Sequence, residues 1–299
     1  MTDTKPSFLG FSFLAFFAFN LLAMHYPLSP VLAADKTSMS VAQGDWEAHF
    51  KEGLALGRKG DWDKAIEKLK MAEGLNPGRH EIYTDLSLAY SEKKDFANAV
   101  AYAKKAAAAD PSKAVAYLAM GLAEEGASHP KEAIKAYQEG ARLEPSNPDI
   151  YLTLGNLYGR EGSFDEAIRA YEKAIEVDPQ NLFAHSNIAY IYEEKGQPEK
   201  ALVYFEKAAV LDPQDAVAWY DLGASYTKKG DQAKAVGYYE KSVQIDPNFY
   251  KACLSLALAY EDTGNLEKAA EFYVKAMSLT EDQKIKDAIL RQISRAGKK

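Results

Sequence analysis

The sequence predicts an all-α protein in which seven 34-residue helical hairpins follow one another and a further helix covers the last. Three observations carry that prediction. Pro77, Pro111, Pro145, Pro179, Pro213 and Pro247 recur at intervals of 34 residues without exception. With these prolines counted as position 32 of each unit, position 20 is alanine every time: Ala65, Ala99, Ala133, Ala167, Ala201, Ala235 and Ala269. Position 15 is glycine in five units (Gly60, Gly162, Gly196, Gly230 and Gly264), where a turn between two helices calls for a positive φ. The units then span 46–79, 80–113, 114–147, 148–181, 182–215, 216–249 and 250–283.

The chain opens differently. Six of its 13 phenylalanines lie between Phe8 and Phe19, and Phe8 to Met24 carries no charge. Pro27 and Pro30 stop any helix there, and Val31-Leu32-Ala33-Ala34 offers the small residues a signal peptidase accepts. Residues 1–34 are therefore read as a signal peptide cut after Ala33 or Ala34, or as an uncleaved amino-terminal anchor, since 17 apolar residues sit at the short end of a membrane span. Either reading implies export, to a periplasm or the outside if cut and on the inner membrane if not. Residues 35–45 read as a polar tether.

Within the units, position 8 is always small (Gly53, Ser87, Gly121, Gly155, Ala189, Gly223, Ala257), which lets two antiparallel helices approach closely. Positions 11 and 24 are mostly bulky and fill the space beside them, Tyr158, Tyr192, Tyr226 and Tyr260 in the first column and Tyr137, Tyr171, Phe205, Tyr239 and Tyr273 in the second. Pro130 and Pro198 at position 17 and Pro148 at position 1 each open a helix, where the missing N–H is not needed. After the last unit, Ile285, Ile289 and Ile293 share one helical face and predict a cap for its open end, so residues 284–299 are read as a capping helix and basic tail.

Small residues at 8 and 20, aromatics at 4, 11 and 24 and proline at 32 resemble the tetratricopeptide-repeat (TPR) family over residues 46–283. Glu124 at position 11, Ala103 at position 24 and Glu281 at position 32 depart from that pattern. The resemblance implies a right-handed superhelical solenoid whose concave face, lined by the first helix of each unit, holds segments of partner proteins.

Composition narrows the chemistry. A net charge of −7 with pI near 5.4 argues against nucleic acid, which needs clustered cations. The single Cys253 excludes an internal disulfide and any multi-cysteine metal site. His49, His185 and Cys253 all stand at position 4 among Tyr83, Tyr117, Tyr151 and Trp219, as packed substitutes for an aromatic. No metal-binding histidine pair, phosphate loop or nucleophile elbow occurs. The reading is a non-catalytic protein that uses no metal or cofactor.

What remains is binding. The family's groove-facing positions are 2, 5, 9, 12 and 13, and here they hold nine acids (Glu47, Glu81, Glu92, Glu125, Asp149, Glu193, Glu194, Glu261, Asp262) and four bases (Arg58, Arg160, Lys228, Lys251). An apolar floor inside an acidic rim suits an apolar, mildly basic segment. The candidate groove residues are Leu118, Leu152, Asn156, Arg160, Phe183, Asn187, Tyr190, Glu194 and Tyr220. Asn156 and Asn187 fall on successive first helices, and an amide both donates to and accepts from a peptide backbone. The basic residues of a terminal-carboxylate clamp are missing, Leu152, Val217 and Asp221 standing in their places. The expected role is an adaptor holding partner proteins in a cell envelope; the alternative is a building block that packs against copies of itself. Membrane contact is expected only through residues 8–24, if these are retained.

Overall fold

A computed structural model describes residues 41–296, and these form fifteen α-helices with no strand among them. The leader assigned to 1–34 and the first part of the tether lie outside the described residues. The helices succeed one another as α1 (Val41–Arg58), α2 (Trp62–Leu75), α3 (His80–Glu92), α4 (Phe96–Ala109), α5 (Ala114–Gly126), α6 (Pro130–Leu143), α7 (Pro148–Arg160) and α8 (Phe164–Val177) in an amino-terminal unit ending at Val177. A carboxy-terminal unit begins at Asp178 and holds α9 (Leu182–Glu194), α10 (Pro198–Leu211), α11 (Ala216–Lys229), α12 (Gln232–Ile245), α13 (Tyr250–Asp262), α14 (Leu266–Ser278) and α15 (Gln283–Ala296). Helix α1 begins at Val41, so the end of the stretch expected to be a tether is helical instead. No proline interrupts that run, and Ala42 and Gln43 favour helix.

In each unit the two helices of a hairpin pack on each other, and the second packs on the first helix of the next hairpin. The amino-terminal unit thus stacks four hairpins. The carboxy-terminal unit stacks three, and α15 lays Ile285, Ile289 and Ile293 on the core of the last.

Position 8 explains how the hairpins close. A Cβ on Gly155 would stand 2.5 Å from Tyr171 Cε1, and one on Gly223 would stand 2.7 Å from Tyr239 Cδ1, so the position-24 tyrosine occupies the volume that glycine leaves empty. Ala103, the departure at position 24, faces Ser87 rather than glycine at position 8. The Ser87 hydroxyl donates to the Ala99 carbonyl at 2.8 Å, so no ring is needed there. Position 15 has a positive φ in every hairpin, including the two without glycine, Lys94 at 60° and Ser128 at 62°.

Position 4 has a purpose that packing alone does not explain. Tyr151 Oη donates to the Pro145 carbonyl at 3.2 Å, His185 Nε2 to Pro179 at 3.3 Å, Trp219 Nε1 to Pro213 at 3.1 Å and Cys253 Sγ to Pro247 at 3.8 Å. Each closes the carbonyl of the position-32 proline in the turn just before its own helix. These four side chains share a donor in spite of their different shapes, whereas Tyr83 in the same column accepts from the Gly78 N–H at 2.9 Å. Burial pushes the His185 pKa down and the Cys253 thiol up, which keeps both uncharged.

Glu124, the acid at position 11, is buried and held by Lys104 at 3.5 Å and by His129 Nδ1 at 2.9 Å. Elsewhere the position-11 tyrosine reaches position 25 of the hairpin before it: Tyr226 Oη donates to Glu206 at 3.1 Å, and Tyr260 Oη to Glu240. The same tyrosines stack on an aromatic at position 23, Tyr226 on Tyr238 at 5.3 Å and Tyr260 on Phe272 at 5.9 Å between ring centres. Lys241 covers Trp219 and Tyr238, Lys234 covers Tyr226, Lys275 covers Phe272 and Lys268 covers Tyr260. Such cation–ring contacts are worth roughly 0.5–1 kcal/mol each where partly exposed.

Candidate functional site

The inner face of each unit is built from positions 2, 5, 6, 9, 12 and 13 of the first helices, and the two units build it differently. Four of the nine candidate groove residues fall in the amino-terminal unit and five in the carboxy-terminal one.

In the amino-terminal unit the candidates are mostly engaged within the fold. Leu118 is 4% exposed and Leu152 9%, so both are core residues rather than an open floor. Leu118 sinks because position 27 of its hairpin is Gly140, where a Cβ would meet Leu118 Cδ2 at 2.9 Å. The Asn156 Oδ1 accepts from the Tyr171 hydroxyl at 2.6 Å, which ties this amide to the hairpin. Arg160 pairs with Glu125, whose other oxygen accepts from the buried Tyr137 hydroxyl at 3.3 Å. Positions 2, 5 and 9 of this unit leave no large apolar side chain exposed.

The carboxy-terminal unit is open where the first is filled. Phe183 is 48% exposed, Tyr190 37%, Val217 48% and Leu258 38%, and these stand at positions 2 and 9 of α9, α11 and α13. Tyr220 lies half-buried between Tyr239, at 5.8 Å between ring centres, and Phe249, at 5.1 Å. The Tyr239 hydroxyl lies 3.1 Å from Thr227 Oγ1. Glu194 is exposed. Asn187 is buried, which removes it from the surface a ligand would touch.

Two residues at the centre of this face are absent from the candidates read from the sequence. The Tyr190 hydroxyl donates to the Asp221 carboxylate across α9 and α11, and Lys228 of α11 pairs with Glu193 of α9 beside it. Burial first, and then Glu193 and Asp215, push the Asp221 carboxyl up to about 7, against the Tyr190 hydrogen bond and Lys228, which lower it. Val217 lies one turn before Asp221 on the same helix. The signal for both was in the sequence: they stand at positions 6 and 2, where a carboxylate clamp would have bases, and an acid among apolar neighbours is a feature in its own right.

Among the described residues no three histidine, cysteine or acidic side chains come together as metal ligands, and no helix is long and apolar enough to cross a membrane.

The chain is similar to known repeat proteins over most of these helices. The tetratricopeptide-repeat profile matches residues 43–114, the TPR-repeat profile residues 131–162 and 155–196, and the profile of the cilia and flagella-associated protein 70 middle TPR-like domain residues 185–290. The chain is thus an all-α protein whose hairpins match tetratricopeptide-repeat profiles over parts of residues 43–290. Among solved structures, MamA is 28% identical with a TM-score of 0.50, over 54% of this chain and 94% of its own. The C-terminal part of a TPR repeat-containing protein from Cytophaga hutchinsonii is 19% identical with a TM-score of 0.68, over 80% of this chain and 98% of its own. YrrB, described as a TPR protein with an unusual peptide-binding site, is 22% identical with a TM-score of 0.52, over 63% of this chain and 97% of its own. The last two show the fold alone. No curated protein matches the chain. Repeats of this class are in general interaction scaffolds that bind proteins or peptides.

Proposed function

We propose that this protein is a non-catalytic adaptor whose carboxy-terminal unit takes up an apolar, mildly basic segment of a partner protein along the inner faces of α9, α11 and α13. The observation that carries the reading is the row of exposed Phe183, Tyr190, Val217 and Leu258 on three successive first helices. A row of this kind on a soluble helix face marks an interaction site rather than scattered surface residues. A preformed face improves affinity chiefly because little of it must be ordered on binding.

The apolar run from Phe8 to Met24 and the small residues before Asp35 support export, so the adaptor would work in a cell envelope, free or anchored. Crosslinking in the native membrane fraction, with a photoreactive residue at Val217, tests both parts. Partner adducts that disappear with Phe183→Lys are the expected result. Adducts that persist unchanged would remove the inner face from the reading. An intact leader on protein recovered from the cytoplasm would remove export.

A further inference from the structure

On the inner face of the carboxy-terminal unit, Asp221 is a carboxylate with no ion-pair partner among the described residues. Glu193 is matched by Lys228, but Asp221 has only the Tyr190 hydroxyl as hydrogen-bond partner, and no described lysine, arginine or histidine lies within ion-pair distance of it. Asp221 is half-buried, with the exposed Val217 one turn earlier on α11 and Tyr220 next to it in sequence, and with Glu193, Asp215 and Lys228 near enough to act on its charge. A carboxylate withdrawn from water without a matching charge is costly, and removing that cost is what a cationic ligand group would do there. The Tyr190 hydroxyl fixes one carboxylate oxygen and leaves the other to the groove.

We propose that Asp221, positioned by Tyr190, is the specificity-determining anchor of this face and takes the head group of a lysine or arginine carried by an otherwise apolar partner segment. The proposal rests on the groove reading above and commits that groove to one ligand chemistry. Apolar contact with Phe183, Val217 and Leu258 provides the area, and the cation against Asp221 provides the choice of partner.

The site has a pH dependence built in. The charged and titratable groups around Asp221 are Tyr190 and Glu193 from α9, Asp215 capping the start of α11, Tyr220 and Lys228 from α11, and Tyr239 from α12. Because Asp221 titrates at about 7, the anchor is mostly neutral at pH 6 and mostly ionised at pH 8. Affinity for a cationic segment then rises about tenfold over that interval, in proportion to the ionised fraction.

Panning a phage-displayed random 12-residue peptide library on the full chain tests this, with each selected peptide resynthesised with citrulline in place of its arginine or norleucine in place of its lysine. The proposal expects apolar peptides with one recurrent basic residue. It further expects about tenfold weaker binding of the neutral analogue, and loss of that preference in Asp221→Asn, which still offers Tyr190 an acceptor. Apolar peptides without a basic residue, or neutral analogues that bind the wild-type protein equally well, overturn the anchor while leaving the groove in place. Peptides whose binding is untouched by Phe183→Lys and Val217→Lys overturn the groove itself, and the anchor with it.

Discussion

The two units use the same inner columns for opposite ends. In the amino-terminal unit, positions 2, 5 and 9 hold Phe50, Leu54, Leu88, Leu118, Leu122 and Leu152, and none of these side chains is exposed. In the carboxy-terminal unit the same columns leave Phe183, Tyr190, Val217 and Leu258 open. The outer columns do not follow that division: position 23 is Ala136 and Ala170 in the middle of the chain, but Tyr102 in the amino-terminal unit and Tyr204, Tyr238 and Phe272 in the carboxy-terminal one, each under a lysine. A shared lattice therefore fixes where an apolar residue points, while its neighbours decide whether it is filled in or left for a partner. Gly140 under Leu118 shows the first outcome, and Val217 beside a half-buried acid the second.

The sharpest way to break this comparison is to truncate one inner residue in each unit. Leu118→Ala empties a packed site and is expected to cost about 2–5 kcal/mol. Val217→Ala is expected to stay within about 0.5 kcal/mol, because most of that side chain already meets water. Urea denaturation followed by circular dichroism measures both. Equal losses would mean that the inner faces do not differ.

Next in size is a pair of substitutions expected to agree across the units. Gly155→Ala and Gly223→Ala each push a Cβ against the position-24 tyrosine, and each should cost about 1–3 kcal/mol by overpacking. A large difference between them, read from the same denaturation curves, would show that the hairpin contact is not the common element it is taken to be.

A third comparison uses position 6. Asp85 in α3 and Asp221 in α11 are both pushed up to about 7, by burial first and then by acids nearby, Glu81 for Asp85 and Glu193 and Asp215 for Asp221. An aspartate whose pKa rises on folding holds its proton more tightly folded than unfolded. The stability it adds is present below its ordinary 3.8 and is lost as pH rises through 7. Asp85→Asn and Asp221→Asn should therefore each raise stability at pH 8 by about 1–2 kcal/mol, well below the ~4 of an undiminished three-unit shift because both carboxylates keep some water. At pH 4 the same variants should gain almost nothing. Melting temperatures at the two pH values decide it, and a larger gain at pH 4 would reverse the assignment.

How much of this could be read beforehand follows from what a column can say. Proline at 32, alanine at 20 and glycine at 15 are backbone requirements, and each requirement admits very few residue types, so the hairpins were legible. Position 4 reads as packing, since Tyr151, His185, Trp219 and Cys253 share no more than a tendency to be buried; the shared donor to a proline carbonyl emerges once that carbonyl is located. The site was half legible. Phe183, Tyr190 and Tyr220 follow from their columns, but Asn187 and Leu118 share the inward direction and are buried, because depth depends on partners in other helices. Asp221 reads only as a missing base, although its meaning lies in being a half-buried acid without an ion-pair partner among the described residues.

The smallest expected effect tests the turn between the helices. Lys94 and Ser128, both in the amino-terminal unit, take the left-handed conformation that the carboxy-terminal unit assigns to Gly196, Gly230 and Gly264. Their backbone N–H groups make the same bond as the glycines do, Lys94 to the Ser91 carbonyl at 2.9 Å and Gly230 to Thr227 at 2.9 Å, so the conformation belongs to the lattice and not to the residue. A residue with a Cβ is strained there by roughly 1–2 kcal/mol. Glycine relieves the strain but leaves the unfolded chain freer, which takes back about 0.4–1 kcal/mol. Lys94→Gly and Ser128→Gly should therefore stabilise by about 0.5–1 kcal/mol, since both side chains are exposed and neither makes a hydrogen bond that would be lost. Gly230→Lys should cost a similar amount in the other unit. If Lys94→Gly destabilises the protein instead, unfolded-chain freedom outweighs the strain, and position 15 is tuned separately in the two units rather than set by one geometry.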